Sequence, residues 1–175
     1  FSGGMRQRVV IALALCAEPC LLIADEPTTA LDVSVQAQII ALLKRLCRER
    51  GMAVMLVTHD MGVIAEAADR VAVMYAGRLA EIGPVADVLT APRHPYTYGL
   101  MGSTPLAARG QRRLNQIPGA MPRLGQIPEG CAFHPRCPKA APVCSHAVPQ
   151  PMAMGDGHLA ACHFPMAVEP QEAAQ

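Results

Sequence analysis

Along the first half of the chain, apolar residues recur at two different periods. Val9, Val10, Ile11, Leu13 and Leu15 supply a helical stretch that Ser2 can cap and Pro19 ends. Cys20–Ala24 is a short unbroken apolar run stopped by Asp25-Glu26-Pro27, the pattern of a strand buried on both faces in a parallel sheet. In 33–50, Ile39, Ile40, Leu42, Leu43 and Leu46 fall at helical spacing, and Gly51 marks the stop. Met52–Val57 is a second apolar strand, ending at Thr58-His59-Asp60, and a short helix is expected over 61–68. Val71–Tyr75 and Arg78–Ile82 flank Ala76-Gly77 and read as a hairpin. A further short helix is expected over 85–90. Strand, helix, strand with a helical crossover predicts an α/β fold built on a parallel sheet.

The pattern changes after residue 84. Only Pro19 and Pro27 of the 16 prolines precede it, whereas eleven lie between Pro105 and Pro170. That shift predicts a loop-dominated second region, which also carries four of the seven cysteines. With 51% apolar and 17% charged residues, a core can be built. Fifteen basic against fourteen acidic residues give a net charge of +1, and Trp is absent. Neither a basic field nor an aromatic platform for nucleic acid is present. No apolar run approaches a membrane span.

In parallel α/β sheets ligands sit at the carboxyl ends of strands, where Asp25, Glu26 and His59 fall. Adjacent acids point to opposite sides of an extended chain, so one can bind a hard cation while the other faces a different ligand, such as water. The plainer alternatives are a polar turn for the pair and a hydrogen-bonded loop residue for His59. Ser2-Gly3-Gly4 opens a helix whose N–H groups and dipole favour an anion, or forms an ordinary cap.

Together these residues carry a resemblance. Phe1-Ser2-Gly3-Gly4-Met5-Arg6-Gln7-Arg8 resembles the signature motif of ABC-transporter ATPases, and Leu21–Pro27 their Walker B strand. Thr29-Ala30-Leu31-Asp32 resembles the D-loop and Thr58-His59-Asp60 the switch histidine. The resemblance implies the C-terminal part of a P-loop NTPase-type sheet with flanking helices over residues 1–90. It also implies ATP and Mg²⁺ as ligands. Asp25 would help hold Mg²⁺, Glu26 would be the general base, and His59 would contact the γ-phosphate. Ser2, Gly3 and Gly4 would touch ATP held by an opposing subunit, and Asp32 would couple the two sites across the dimer. The phosphate-cradling Gly-Lys-Ser/Thr is missing: Lys44 and Lys139 are the only lysines, and neither follows Gly. The chain opens inside a motif without an initiating Met, so it is expected to be the C-terminal part of a longer protein. By itself it is expected neither to bind ATP tightly nor to hydrolyse it.

The string His94-Pro95-Tyr96-Thr97, with Ser103-Thr104-Pro105, Ile117-Pro118-Gly119 and Gly130–Cys137, resembles the tail of the oligopeptide/dipeptide branch of that family. Residues 91–175 are therefore expected to form its Pro/Cys-rich extension. Cys131, Cys137, Cys144 and Cys162 are spaced C-x5-C-x6-C-x17-C. A loop-rich segment with a thin core needs a staple. A disulfide does not suit a cytoplasmic protein. Close C-x2–4-C pairs typical of Zn²⁺ are absent, whereas the wider spacing is compatible with an iron–sulfur cluster. The resemblance implies a structural [4Fe–4S] centre, with Zn²⁺ or four free thiols as alternatives. His134, His146, His158 and His163 are possible replacement ligands but read as surface residues. Cys16, Cys20 and Cys47 read as core.

The expected function is the ATP-hydrolysing subunit of a di- or oligopeptide importer, peripheral on the cytoplasmic side of the inner membrane. Its implied partners are a second ATP-binding subunit, identical or not, transmembrane permease subunits and, indirectly, an extracytoplasmic peptide-binding protein. Nucleic acid is not among them. Alternatives are the same ATPase serving nickel or glutathione import, a non-transport ABC ATPase, and a stand-alone Cys-rich metal-binding fragment.

Overall fold

The computed structural model describes residues 1–103, 116–123 and 125–167. They belong to two compact units, Phe1–Ala68 and Asp69–Gln175.

In the first unit, α1 (Gly3–Leu15) leads to β1 (Leu21–Asp25), α2 (Val33–Arg50), β2 (Ala53–Val57) and α3 (Met61–Ala67). β1 and β2 pair in parallel, with Leu21 opposite Ala53 and Asp25 opposite Val57. Each helix starts on a side-chain cap. Ser2 Oγ accepts the Met5 N–H, Asp32 accepts that of Val35, and Asp60 accepts those of Gly62 and Val63. Gly51 ends α2 in the left-handed conformation at φ 64°. The core is the inner face of α2 (Ile39, Leu43, Leu46) closed by Ile11 of α1, with Leu15, Leu22 and Val35 packed against it.

The expectation that the first strand is buried on both faces is not met. Burial alternates along β1 and β2, and Ile23 is 59% and Met55 48% exposed. Leu22 packs against the helix core, but no described element covers the face carrying Leu21, Ile23, Met55 and Val57. Cys16 and Cys20 are also exposed rather than in the core, because they flank the turn between α1 and β1; Cys47 is half-buried. The Cys16 thiol donates to the Ala12 carbonyl at 3.2 Å.

The second unit is built on an antiparallel sheet of order β3-β4-β6-β5. Its strands are β3 (Arg70–Tyr75), β4 (Arg78–Pro84), β5 (Met152–Gly155) and β6 (His158–Ala160). The hairpin falls where the sequence places it, turning at Ala76-Gly77 with both residues at positive φ. The tail is less loop-like than its prolines suggest. It lends β5 and β6 to the hairpin's sheet, and it forms α5 (Pro95–Gly102), capped by His94 with Pro95 in the first turn, after α4 (Val85–Thr90). Two 3₁₀ turns, His134–Arg136 and Pro142–Ser145, carry the cysteine loop. Its core gathers Tyr75, Ala80, Ala132 and Phe133, with Tyr96 at the edge. Tyr75 meets Tyr96 and Phe133 at ring separations of 4.7 and 5.2 Å. Arg136 ties the 117–119 loop to this cluster, donating to the carbonyls of Ile117 and Pro118 and to the Tyr75 hydroxyl.

Gly130 has no room for a side chain. It sits at φ 66°, and a Cβ there would lie 2.4 Å from the Cys144 carbonyl oxygen and 2.8 Å from the His146 nitrogen. Gly77 has a similar φ but open space around it. Gly77→Ala is therefore expected to cost about 1 kcal/mol of backbone strain, and Gly130→Ala a further ~1–3 kcal/mol from overlap. Thermal denaturation of the two variants checks this, and equal shifts would contradict it.

Candidate functional site

In the first unit, the parallel register brings the ends of β1 and β2 side by side. The Glu26 N–H donates to the Val57 carbonyl at 2.8 Å, continuing the ladder one residue past β1. Glu26 then turns into the left-handed region at φ 47°, an uncommon conformation for a non-glycine residue. Its carboxylate spans two partners. Oε2 accepts from the Thr29 hydroxyl at 2.6 Å, and Oε1 meets His59 Nδ1 at 2.8 Å. The acid and the imidazole, 33 positions apart in sequence, are thus in direct contact.

The electrostatics follow from that contact. The hydrogen bond from Thr29, and then that from His59, hold the Glu26 carboxyl below its ordinary value. The hydrogen bond to Glu26, reinforced by its charge, raises His59. Asp25, next in the chain, is exposed at the end of β1 and has no hydrogen-bond partner among the described residues. That leaves both its oxygens open to a hard cation such as Mg²⁺.

Asp32 and Ser2 both sit at helix starts. Asp32 accepts from the Val35 N–H at 2.9 Å and the Ser34 hydroxyl at 2.8 Å, in that order of effect holding its carboxyl low. Ser2 caps α1. The glycines beside it have a packing reason the sequence did not suggest. A Cβ on Gly3 would lie 3.0 Å from Leu31 Cδ2, and one on Gly4 2.6 Å from Val35 Cγ1. The tip of α1 is thereby seated against the residues on either side of Asp32. Two further partners were also missed: Thr29, which holds Glu26, and Gln36, which donates to Asp60 at 3.1 Å. Thr29 lies one helical turn after the acid, and that spacing was the available signal.

In the second unit, Cys131, Cys137, Cys144 and Cys162 all line one pocket, walled by Phe133 and Phe164 and by His94, His134, His163 and Lys139. Residues spread over 32 positions therefore converge. Burial pushes up the thiols of Cys131, Cys137 and Cys162, the last to about 11, and neighbouring sulfurs push the same way. Backbone N–H groups oppose this: those of Phe133 and His134 at Cys131, of Lys139 at Cys137, and of Phe164 at Cys162. Amides turned toward sulfur are the surroundings a thiolate needs, and a cation among the sulfurs would supply the charge that burial denies them. No group of three or more His, Cys, Asp or Glu among the described residues is arranged as a ready metal-binding set. The donor chemistry thus suits a soft metal, while the sulfurs share a pocket without a preformed coordination geometry.

The histidines divide differently from expectation. His146 is exposed, whereas His134 and His163 are half-buried, meeting the Cys131 and Ala147 carbonyls at 2.9 and 3.0 Å. His158 is not a surface residue: it is 4% exposed, with Nε2 2.7 Å from Glu81 Oε1. Glu81 is fully buried on β4 and also accepts the N–H groups of Arg93 at 2.6 Å and His94 at 2.9 Å. Its only signal in sequence was an acid inside an apolar strand. Burial pushes His94 down to about 4.

The Glu26–His59 pair sets a pH window. It is charged on both sides only between the lowered Glu26 value and the raised His59 value. It is lost on acidification through the first and on alkalinisation through the second. His59 is therefore expected to titrate above the ordinary ~6.5 in an NMR titration, and Glu26→Gln to return it toward that value. An unchanged His59 midpoint in the variant would contradict the contact.

Comparison with known proteins agrees with this anatomy. Residues 80–144 match the family described as oligopeptide/dipeptide transporter, C-terminal region, and residues 1–29 match the ABC transporter family. The chain is 52% identical over 162 residues to the dipeptide transport ATP-binding protein DppD of Bacillus subtilis, covering 93% of this chain and 48% of that protein. It is 53% identical over 167 residues to the oligopeptide transport ATP-binding protein OppD of Salmonella typhimurium, covering 95% and 49%. The chain thus spans about half the length of the curated relatives it matches. Among solved structures, cbiO1 of Clostridium perfringens, part of the ABC transporter complex cbiONQ, superposes with a TM-score of 0.50 at 36% identity, over 52% of this chain and 36% of that one. With signature, strand-end acids and tail all matched, the chain belongs to the ABC transporter family, in the branch that carries the oligopeptide/dipeptide transporter C-terminal region.

Proposed function

We propose that these residues serve the ATP-hydrolysing subunit of an importer of di- or oligopeptides. Residues 1–90 form the C-terminal part of its nucleotide-binding domain, and residues 91–175 its family-specific extension. The observation that carries the reading is the Glu26–Thr29–His59 contact at the ends of two adjacent parallel strands. The match to peptide-transport ATP-binding proteins over most of the chain supports the cargo class.

Phosphoryl transfer to water needs positioning and charge stabilisation more than covalent chemistry. Glu26 is the general base: its carboxylate is ionised at neutral pH, and Thr29 and His59 fix its orientation. His59 has its second ring nitrogen left for the γ-phosphate once Nδ1 is engaged by Glu26. Asp25 turns its unpartnered carboxylate to Mg²⁺, which neutralises phosphate charge when bound. Ser2, Gly3 and Gly4 present the N-terminal N–H groups of α1 to a nucleotide held by a second ATP-binding subunit, and Asp32 faces the same junction. Attachment to the membrane is through permease subunits, with the peptide-binding protein acting through them. No helix among the described residues is long and apolar enough to cross a membrane.

Cys131, Cys137, Cys144 and Cys162 hold a [4Fe–4S] cluster, with Zn²⁺ as the alternative occupant. Their convergence on one pocket and the amides facing three of the sulfurs support this. The metal is structural: it joins four positions of a segment whose own apolar core is small.

Two measurements test the proposal. In the full-length subunit, Glu26→Gln is expected to leave ATP binding within about twofold while lowering hydrolysis by roughly 10²–10⁴; unchanged turnover would remove Glu26 as the base. Anaerobically purified protein is expected to be coloured and to contain iron, and Cys137→Ser to lose it. A colourless sample free of iron and zinc would end the metal reading.

A further inference from the structure

The wall of the cysteine pocket carries four side chains with N–H groups: His94, His134, Lys139 and His163. Three of them are committed to backbone carbonyls. His134 Nδ1 lies 2.9 Å from the Cys131 oxygen, His163 Nε2 3.0 Å from the Ala147 oxygen, and Lys139 Nζ donates to the Pro165 oxygen at 3.0 Å. Each ring nitrogen facing a carbonyl must carry the proton.

His94 is different. Its Nδ1 accepts the Tyr96 N–H at 3.0 Å, so Nδ1 bears no proton and the neutral ring carries it on Nε2. The residue is 3% exposed, and it lines both the cysteine pocket and a second pocket walled by Tyr75, Arg78 and Pro151. Nε2 has no hydrogen-bond partner among the described residues. The imidazole is also held firmly. The N–H groups of Arg93 and His94 both donate to Glu81, whose carboxylate is fully buried and braced by His158, and the ring packs on Phe133 at 5.9 Å between centroids. A buried carboxylate thus fixes the backbone of a buried donor that lines a pocket of four sulfurs.

We infer that His94 donates its Nε2–H to a cysteine thiolate of this pocket, acting as a positioning residue for the four-cysteine site. The inference rests on the proposed metal-binding role of those cysteines. A donor to sulfur stabilises the charge that ligation places there and orients the sulfur lone pairs, as outer-shell donors do at other metal centres. The His-Pro-Tyr turn would then belong to the cysteine site, 37 positions before its first cysteine.

The test uses full-length protein purified anaerobically, with iron and zinc measured and metal retention followed against a competing chelator. His94→Leu removes the donor, while His94→Gln keeps an N–H. Apparent metal affinity is expected to fall about 10–100-fold in His94→Leu and to be largely restored in His94→Gln. If wild-type protein carries no metal, the reading of the cysteines fails and this inference with it. If wild-type protein carries metal and His94→Leu retains it equally, the inference alone is overturned. Equal loss in both variants indicates packing rather than donation and also overturns it. Should His94→Leu not fold, wild-type protein labelled with ¹⁵N-histidine decides. A His94 Nε2–H resonance that shifts on metal removal supports the inference, and one that stays in place refutes it.

Discussion

The alignment of β1 with β2 is the constraint on which the first unit's chemistry depends. Asp25 stands opposite Val57, and one further backbone bond from Glu26 closes the pair. Because side chains alternate along a strand, a slip by one residue would turn Glu26 and His59 away from each other. Helix α2 packs its apolar face against α1 and the inward Leu22 of β1. The short carboxylate–imidazole contact thus follows from the backbone pairing at the strand ends.

A different device organises the second unit. Glu81 is an ionisable group with no exposed surface, on a strand that otherwise packs apolar residues. Burying a carboxylate is costly unless its oxygens are satisfied, and here three N–H groups converge on it. Those donors come from the His-Pro-Tyr turn and from β6, so one side chain joins the hairpin, the start of α5 and the end of the tail. The aromatic cluster of Tyr75, Tyr96 and Phe133 sits beside it and leads into the cysteine loop.

Much of this was legible in the sequence, for physical reasons. Helices with clear periodicity and a local start or stop signal (Ser2 for α1, Gly51 for α2) and the hairpin at Ala76-Gly77 follow from local rules and appear close to expectation. The strand-end placement of Glu26 and His59 followed from topology. Burial was less readable, because it depends on what covers a surface. Ile23 and Met55 have the composition of doubly covered strands but are open on one side, and Cys20 lies at a turn the apolar run disguised. β5 and β6 escaped notice because strands of three and four residues leave no periodicity. His158 and Glu81 escaped because neither residue's identity announces a partner 77 positions away.

The glycine at position 4 has a mechanical consequence. With Val35 filling the space a side chain would need, the first turn of α1 and the first turn of α2 are in van der Waals register. Neither can tilt without pushing the other. Whatever moves the start of α1 therefore presses on Val35, the residue whose N–H Asp32 caps.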